Sequence, residues 1–300
     1  MKTILSALIS PKSTDDFFNS YKSNEPFVVY GLSESILELT ELPFLKSLGA
    51  LLNSWPNLIQ AHLPDVRDEA SSIDTTTKDA LKLFENGMGL LFNHADSISP
   101  VLQDWLHKLR LDLGLSALTN SRCLVYATPK GGGTAWHFDQ NINFVLQISG
   151  TKKWWLSPNS HVQNPMTRHT MGMPADPELA SYLDEALPVS MPFDTSPLVL
   201  TAGSLLFVPR GHWHATEADS DALSLNFTFS APTWIDLLTA ALRGRLAQSP
   251  EWRETADGVS DAFQFEKAGQ KFDLLLSGLI DDLPNWNAAG ILGATEADEE

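Results

Sequence analysis

A mainly β fold with flanking helices is what this sequence predicts, its central strands closed into an antiparallel barrel or sandwich. Three observations carry that prediction. From Cys123 to Ser157, and again from Leu198 to Phe229, short alternating or wholly apolar runs follow one another, broken by Gly, Pro, Asn and Ser. No long helical pattern separates adjacent runs, as a parallel sheet would require. The composition, 43% hydrophobic and 19% charged over 300 residues, suffices for a full-sized core.

The elements follow in order. Asp15–Tyr21 reads as a helix behind a Ser13/Thr14 cap, and Phe27–Tyr30 as a short buried strand closed by Gly31. Lys78–Asn86 and Pro100–Leu113 have helical spacing, the latter with Leu102, Trp105, Leu106, Leu109 and Leu113 on one face. The expected central strands are Leu124–Thr128, Trp136–Asp139, Phe144–Ile148, Lys152–Leu156, Leu198–Thr201, Ser204–Val208 and Leu223–Phe229. After Pro232 the pattern turns helical. Trp234–Leu246 is one helix, and a second carries the stripe Phe272, Leu275, Leu276, Leu279, Ile280 and Leu283. Such a stripe packs onto the body of its own chain or forms a dimerisation face. Three regions result: a mixed α/β segment over 1–121, a β core over 122–231 and a helical region over 232–300 ending in an acidic tail.

Charge and cysteine content narrow the chemistry. With 37 acidic and 20 basic residues the net charge is −17, which argues against nucleic acid as a direct partner and would steer a basic one. The single cysteine, Cys123, excludes an intramolecular disulfide, a CxxC redox pair and a thiolate cluster, so a metal must be held by His and carboxylate. One thiol fits a reducing cytoplasm, and neither a targeting segment nor a membrane span is expected.

A His and a carboxylate one residue apart on a strand point to the same side and can serve one metal ion. The motif is cheap in a chain with 8 His and 37 acids, and it occurs twice. His94-Ala95-Asp96 runs into Ser97–Pro100, where a helix cap beside a structural His is the better reading. His137-Phe138-Asp139 instead follows the loop Gly131-Gly132-Gly133-Thr134 and opens the run of closely spaced strands. From Asp139, three residues lead to Asn143 and six more to Gly150; in the second block, Gly203 is followed by five residues, Pro209, four residues and His214.

These two blocks resemble the paired signature motifs of the cupin superfamily, a double-stranded β-helix or jelly-roll core. Asp139 replaces the second metal-binding His of the first block, and Asn143 stands where its Glu would be. The resemblance leaves His137, Asp139 and His214 as a two-histidine-one-carboxylate set, which suits non-haem Fe(II) oxygenases because one side of an octahedral ion stays open. His212 shares the strand parity of His214 and is the rival third ligand; the count from Pro209 favours His214.

The stretch TAWHFDQNINFVLQISGTKKW from Thr134 to Trp154, with Pro209–His214 and Ser224–Phe227, narrows the resemblance further. It resembles the Jumonji-C, cupin-like oxygenases that include asparaginyl hydroxylases and ribosomal oxygenases, densely over 122–230. That resemblance implies an Fe(II)- and 2-oxoglutarate-dependent dioxygenase using O2, with His137, Asp139 and His214 as metal-binding and catalytic residues. Lys152, fifteen residues after His137, would pair with the distal carboxylate of 2-oxoglutarate, as a dicarboxylate in a barrel interior requires a buried cation. Lys153 is the alternative anchor. Thr134 would add a hydroxyl to the same carboxylate, Asn143 and Asn226 would line the iron-proximal end, and Tyr126 has the neighbourhood to touch the cosubstrate. Trp136, Trp154, Trp155 and Trp213 read as core.

The implied reaction releases succinate and CO2 and hydroxylates a protein or peptide side chain, with N-methyl demethylation open to the same chemistry. A free amino acid or small natural product is the alternative substrate. A non-catalytic cupin binding module is the alternative of another class. A homodimer through the C-terminal helices is a further expectation.

Overall fold

The computed structural model describes residues 3–31, 34–63, 71–183, 185–191 and 196–293. The acidic end 296–300 lies outside the described residues. In chain order the elements begin with α1 (Ile4–Leu8), α2 (Thr14–Lys22), β1 (Phe27–Val29), α3 (Leu37–Thr40), α4 (Leu48–Ser54), β2 (Ile59–His62), β3 (Ser72–Thr75), α5 (Thr77–Glu85), β4 (Gly89–Asn93) and α6 (Pro100–Asp112). The β-rich part follows as β5 (Asn120–Thr128), β6 (Gly133–Phe138), β7 (Ile142–Ser149), β8 (Lys152–Ser157), β9 (His169–Thr170), α7 (Pro177–Ala180), β10 (Leu198–Leu200), β11 (Leu205–Val208), β12 (Trp213–Ala218) and β13 (Ala222–Ser230). Three helices close the chain: α8 (Trp234–Leu246), α9 (Phe265–Asp282) and α10 (Ala288–Gly293).

Two antiparallel sheets face each other. One has the order β1-β11-β7-β13-β5-β4-β2-β3, the other β10-β8-β12-β6-β9. The jelly-roll class expected from the central strands is therefore present. The N-terminal strands do more than flank it, because β1 pairs with β11 and β4 with β5, extending the larger sheet at both edges.

Alternation explains how the larger sheet serves two environments. On β13, Leu225, Phe227 and Phe229 join the helix-side core, while Ser224, Asn226 and Thr228 point the other way and are equally buried. Phe144 and Leu146 on β7 repeat the helix-side pattern, with Val145 facing inward. The helices dock through aromatics. Phe17 of α2, wholly buried, meets Phe27 edge-on at 5.5 Å and Phe207 at 5.1 Å. Ser13 caps α2 by accepting from Asp16 N, and Ser99 caps α6 by accepting from Leu102 N.

The smaller sheet is apolar on its outer side, where Phe138 and Trp213 cluster with Val162 and Leu179 from the long β8–β10 connection. Between the sheets, Val145, Trp154, Leu200, Leu206 and Val208 fill one part of the interior. Two glycines set how closely strands approach. A Cβ at Gly133 would lie 1.9 Å from the Thr216 carbonyl oxygen, so only Gly lets β6 run this close to β12. Gly150, at φ +73°, turns β7 into β8 against the Asp221 carbonyl.

Two compact units emerge: residues 1–115 with 120–230, and 116–119 with 231–300. In the second unit, Thr233 and Asp236 form a capping box at α8. Arg245 donates to Asp282 at 2.7 Å and Trp286 Nε1 to the same carboxylate at 2.8 Å, tying α8 to the end of α9. None of the residues of α8, α9 or α10 is buried. The apolar stripe on α9 keeps Ile280 65% exposed, so it is not absorbed into a core. No helix among the described residues is long and apolar enough to cross a membrane.

Candidate metal centre

The strand pairing assembles the site. β6 runs antiparallel to β12 with His137 directly opposite His214, and their rings lie 4.0 Å apart. Asp139 follows just past the end of β6, and its Oδ2 lies 3.9 Å from His137 Nε2 and 3.6 Å from His214 Nε2. One ligand atom from each of the three residues lies within 4.8 Å of the others. Among the described residues this is the group of His, Cys, Asp and Glu side chains arranged to hold a metal ion.

Both imidazoles are oriented from behind. Nδ1 of His137 donates to the Ala135 carbonyl at 2.8 Å, and Nδ1 of His214 donates to the His212 carbonyl at 2.9 Å. With the proton on Nδ1, each Nε2 presents its lone pair towards Asp139, the tautomer a metal ligand needs. Burial, with His137 alongside, pushes the His214 imidazolium down to about 3, so the ring is neutral at physiological pH. Burial works to raise the Asp139 carboxyl, but His137, His214, Arg168 and Arg122 outweigh it and hold the group below its usual value. A carboxylate and two imidazoles make a hard, borderline donor set suited to Fe(II).

His212 does not join them. It is buried beside His214 and supplies only its carbonyl, because β12 begins at Trp213 and His212 lies in the turn before it. His94 takes a left-handed backbone at φ 59°, and Asp96 Oδ1 accepts from Cys123 N at 2.8 Å, so in the other His-x-Asp motif Asp96 braces β5 and the expected helix cap comes from Ser99 instead. Burial and Asp96 raise the Cys123 thiol well above its usual value, leaving it unreactive.

A cavity of about 160 Å³ opens from the three residues between the sheets. Lys152 lies at one end, 5% exposed, donating to Thr128 Oγ1 at 3.3 Å with its ammonium over the Tyr126 and Trp154 rings. Lys153 points away and pairs with Asp219 at the surface. Thr134 lines the cavity, its hydroxyl 2.9 Å from that of Thr216. Asn143 Oδ1 accepts from Thr228 at 2.6 Å. Asn226 faces the cavity with a buried Oδ1 that has no hydrogen-bond partner among the described residues. Trp154 stacks on His214 at 5.8 Å, so it is a wall of the site as well as core.

Sequence reasoning missed several lining residues. Thr216 shares strand parity with His214 on β12, which was not recognised, whereas Ser224 and Thr228 share the parity of Asn226 on the expected strand Leu223–Phe229 and alternation alone could have found them. Arg122 lies two and four residues before Leu124 and Tyr126 on the start of β5, which begins earlier than its apolar pattern suggests. Arg168, whose Nε is 3.3 Å from Asp139 Oδ1, comes from an irregular connection with no periodicity to read.

The comparisons with known proteins bear on the same region. A family model described as the JmjC domain matches residues 102–237. Over 288 residues the chain is 33% identical to the uncharacterised protein YxbC of Bacillus subtilis, covering 94% of this chain and 87% of that one. The chain belongs to the JmjC-domain family. It is also 32% identical over 179 residues to Ribosomal oxygenase 1 of Gallus gallus, of whose length the match spans 27%. Among solved structures, YcfD, a ribosomal oxygenase from Escherichia coli in complex with cobalt and 2-oxoglutarate, superposes with a TM-score of 0.52 at 16% identity. That match covers 90% of this JmjC chain and 67% of YcfD, and shows a shared fold.

Proposed function

We propose that this protein is an Fe(II)- and 2-oxoglutarate-dependent oxygenase, hydroxylating a protein or peptide side chain with release of succinate and CO2. The observation that carries the reading is one cavity holding two imidazoles and a carboxylate beside a buried lysine. Bound iron and 2-oxoglutarate supply oxidative decarboxylation coupled to insertion of one oxygen atom of O2 into a C–H bond.

The chain's own residues do the rest. His137, Asp139 and His214 hold the metal, and the backbone carbonyls of Ala135 and His212 fix which ring nitrogen faces it. Lys152 binds the distal carboxylate of the cosubstrate, since it places a buried cation in the cavity wall where a dicarboxylate needs an opposite charge. Thr134 sits beside that end together with Thr216, and Tyr126 and Trp154 close it from water. Asn226, with its unsatisfied oxygen, and Asn143 offer polar atoms to the metal-proximal groups. Residues 122–231 are the catalytic core in this reading. The exposed stripe of α9 docks a second copy of the chain, and a single buried thiol fits a cytoplasmic location.

The experiment is incubation of the iron-loaded protein with 2-oxoglutarate, O2 and a peptide digest of a cell lysate, read by mass spectrometry. The expected result is a subset of peptides heavier by one oxygen atom, absent with Asp139→Ala. No such peptide, together with no succinate, contradicts the reading.

A further inference from the structure

The charges inside the cavity run against those of the chain. The whole sequence carries −17, yet the charged residues lining the cavity are Arg122, Lys152, Arg168 and a single acid, Asp139. Their placement is ordered. β5 sends Arg122, Leu124 and Tyr126 to the cavity wall, with Tyr126 facing Lys152. Arg122 therefore stands four residues along the strand from Tyr126, the residue that faces the lysine, about 13 Å at the usual rise. Arg168 lies beside Asp139 and is 23% exposed, whereas Lys152 is 5% exposed. The cavity thus has a closed end with one cation and a more open end with two.

The oxygenase reading gives Lys152 to the cosubstrate and Asp139 to the metal. Two guanidiniums then flank the space left for the substrate, and a lysine or arginine side chain entering there would meet like charge in a low-dielectric site. A carboxylate would meet two fork-shaped donors suited to it. We propose that the primary substrate presents a carboxylate to Arg122 and Arg168, so that an acidic group is held next to the carbon to be oxidised. The inference rests on the oxygenase reading and reverses the expectation, drawn from net charge alone, of a basic partner. The carboxylate can belong to an aspartate or glutamate side chain of a peptide, or to the free α-carboxylate of a small acid.

Calorimetry on the protein loaded with zinc(II) and saturating 2-oxoglutarate tests this without turnover and with the lysine end already filled. The probes are N-acetyl-aspartate amide, N-acetyl-asparagine as the free acid, N-acetyl-asparagine amide and N-acetyl-lysine amide. One or both acids should bind at least about tenfold more tightly than the diamide, and the lysine probe no more tightly than it. The acid that wins separates the two sources: side-chain carboxylate for a peptide, α-carboxylate for a free acid or chain end. The acid-over-amide preference should fall to within about threefold of unity in Arg122→Met and in Arg168→Met. A 2-oxoglutarate titration of each variant shows that the site is still assembled. Acids no tighter than the diamide, a preference for the lysine probe, or a preference that survives both substitutions overturns the proposal. Failure of 2-oxoglutarate itself to bind the wild-type protein is a different result, and it overturns the oxygenase reading.

Discussion

Lys152 is almost wholly buried, donates to the Thr128 hydroxyl and holds its ammonium over two aromatic faces of the cavity wall. Lys152→Met should keep the fold and the metal, because methionine refills most of the buried side-chain volume and Lys152 is not one of the three clustered ligand residues, while weakening 2-oxoglutarate binding at least about tenfold, roughly 1.4 kcal/mol. Equilibrium titration of the cosubstrate measures this, and unchanged affinity would remove the lysine from the site. Nearby, burial pushes the His212 imidazole down to about 4, against an ordinary value near 6.5. The unfolded chain therefore binds a proton that the folded chain refuses as pH falls below 6.5. Stability from this group is complete above that pH and declines towards pH 4, by about 2 kcal/mol at pH 5. Thermal melts at pH 7 and pH 5 should show a smaller acid loss in His212→Asn than in wild type. At this scale the clustering of His137, Asp139 and His214 was legible, because parity places the first two on one side and the resemblance to the paired cupin motifs picks out His214. Arg168 was not, since a residue on an irregular connection carries no period that says where it points.

Strands were legible where their apolar pattern is strong. Phe144–Ile148 and Leu223–Phe229 were each read within two residues at either end, lying inside β7 and β13. β12, which carries His214, was missed. Its sequence WHATEA has alanine and glutamate where strands favour β-branched residues, and only pairing on both sides makes it a strand. β2 and β3 were missed for a related reason, being short and partly polar. The β6–β12 approach is the joint that brings the two histidines together, and Gly133 permits it. Gly133→Ala drives a Cβ into the Thr216 carbonyl, so it should cost about 1–3 kcal/mol and weaken metal binding in parallel. Denaturant unfolding with a metal titration measures both; an unchanged midpoint would mean the strands have slack. Phe17→Ala, which empties an aromatic cluster on the opposite face of the larger sheet, should cost about 3–5 kcal/mol with metal affinity preserved in the folded fraction.

Across the whole molecule, charge is sorted by depth. The acidic residues that set the net charge lie mostly outside a cavity lined by three cations and one carboxylate, so overall composition misdirects any inference about what enters it. The helical C-terminal unit was legible as helices but not as to what they face. α9 has the periodicity of a buried helix and yet buries none of its residues. If a second copy covers that stripe, Leu276→Asp should turn a dimer into a soluble monomer by sedimentation velocity; an unchanged mass would assign the stripe another role. The central claim is narrower than any of these and more directly tested. Anaerobic addition of Fe(II) and then 2-oxoglutarate to the purified protein should produce a weak metal-to-ligand charge-transfer band in the visible. The band should vanish in His137→Ala and need more cosubstrate in Lys152→Met. A folded, iron-loaded wild-type protein that shows no such band would contradict the account.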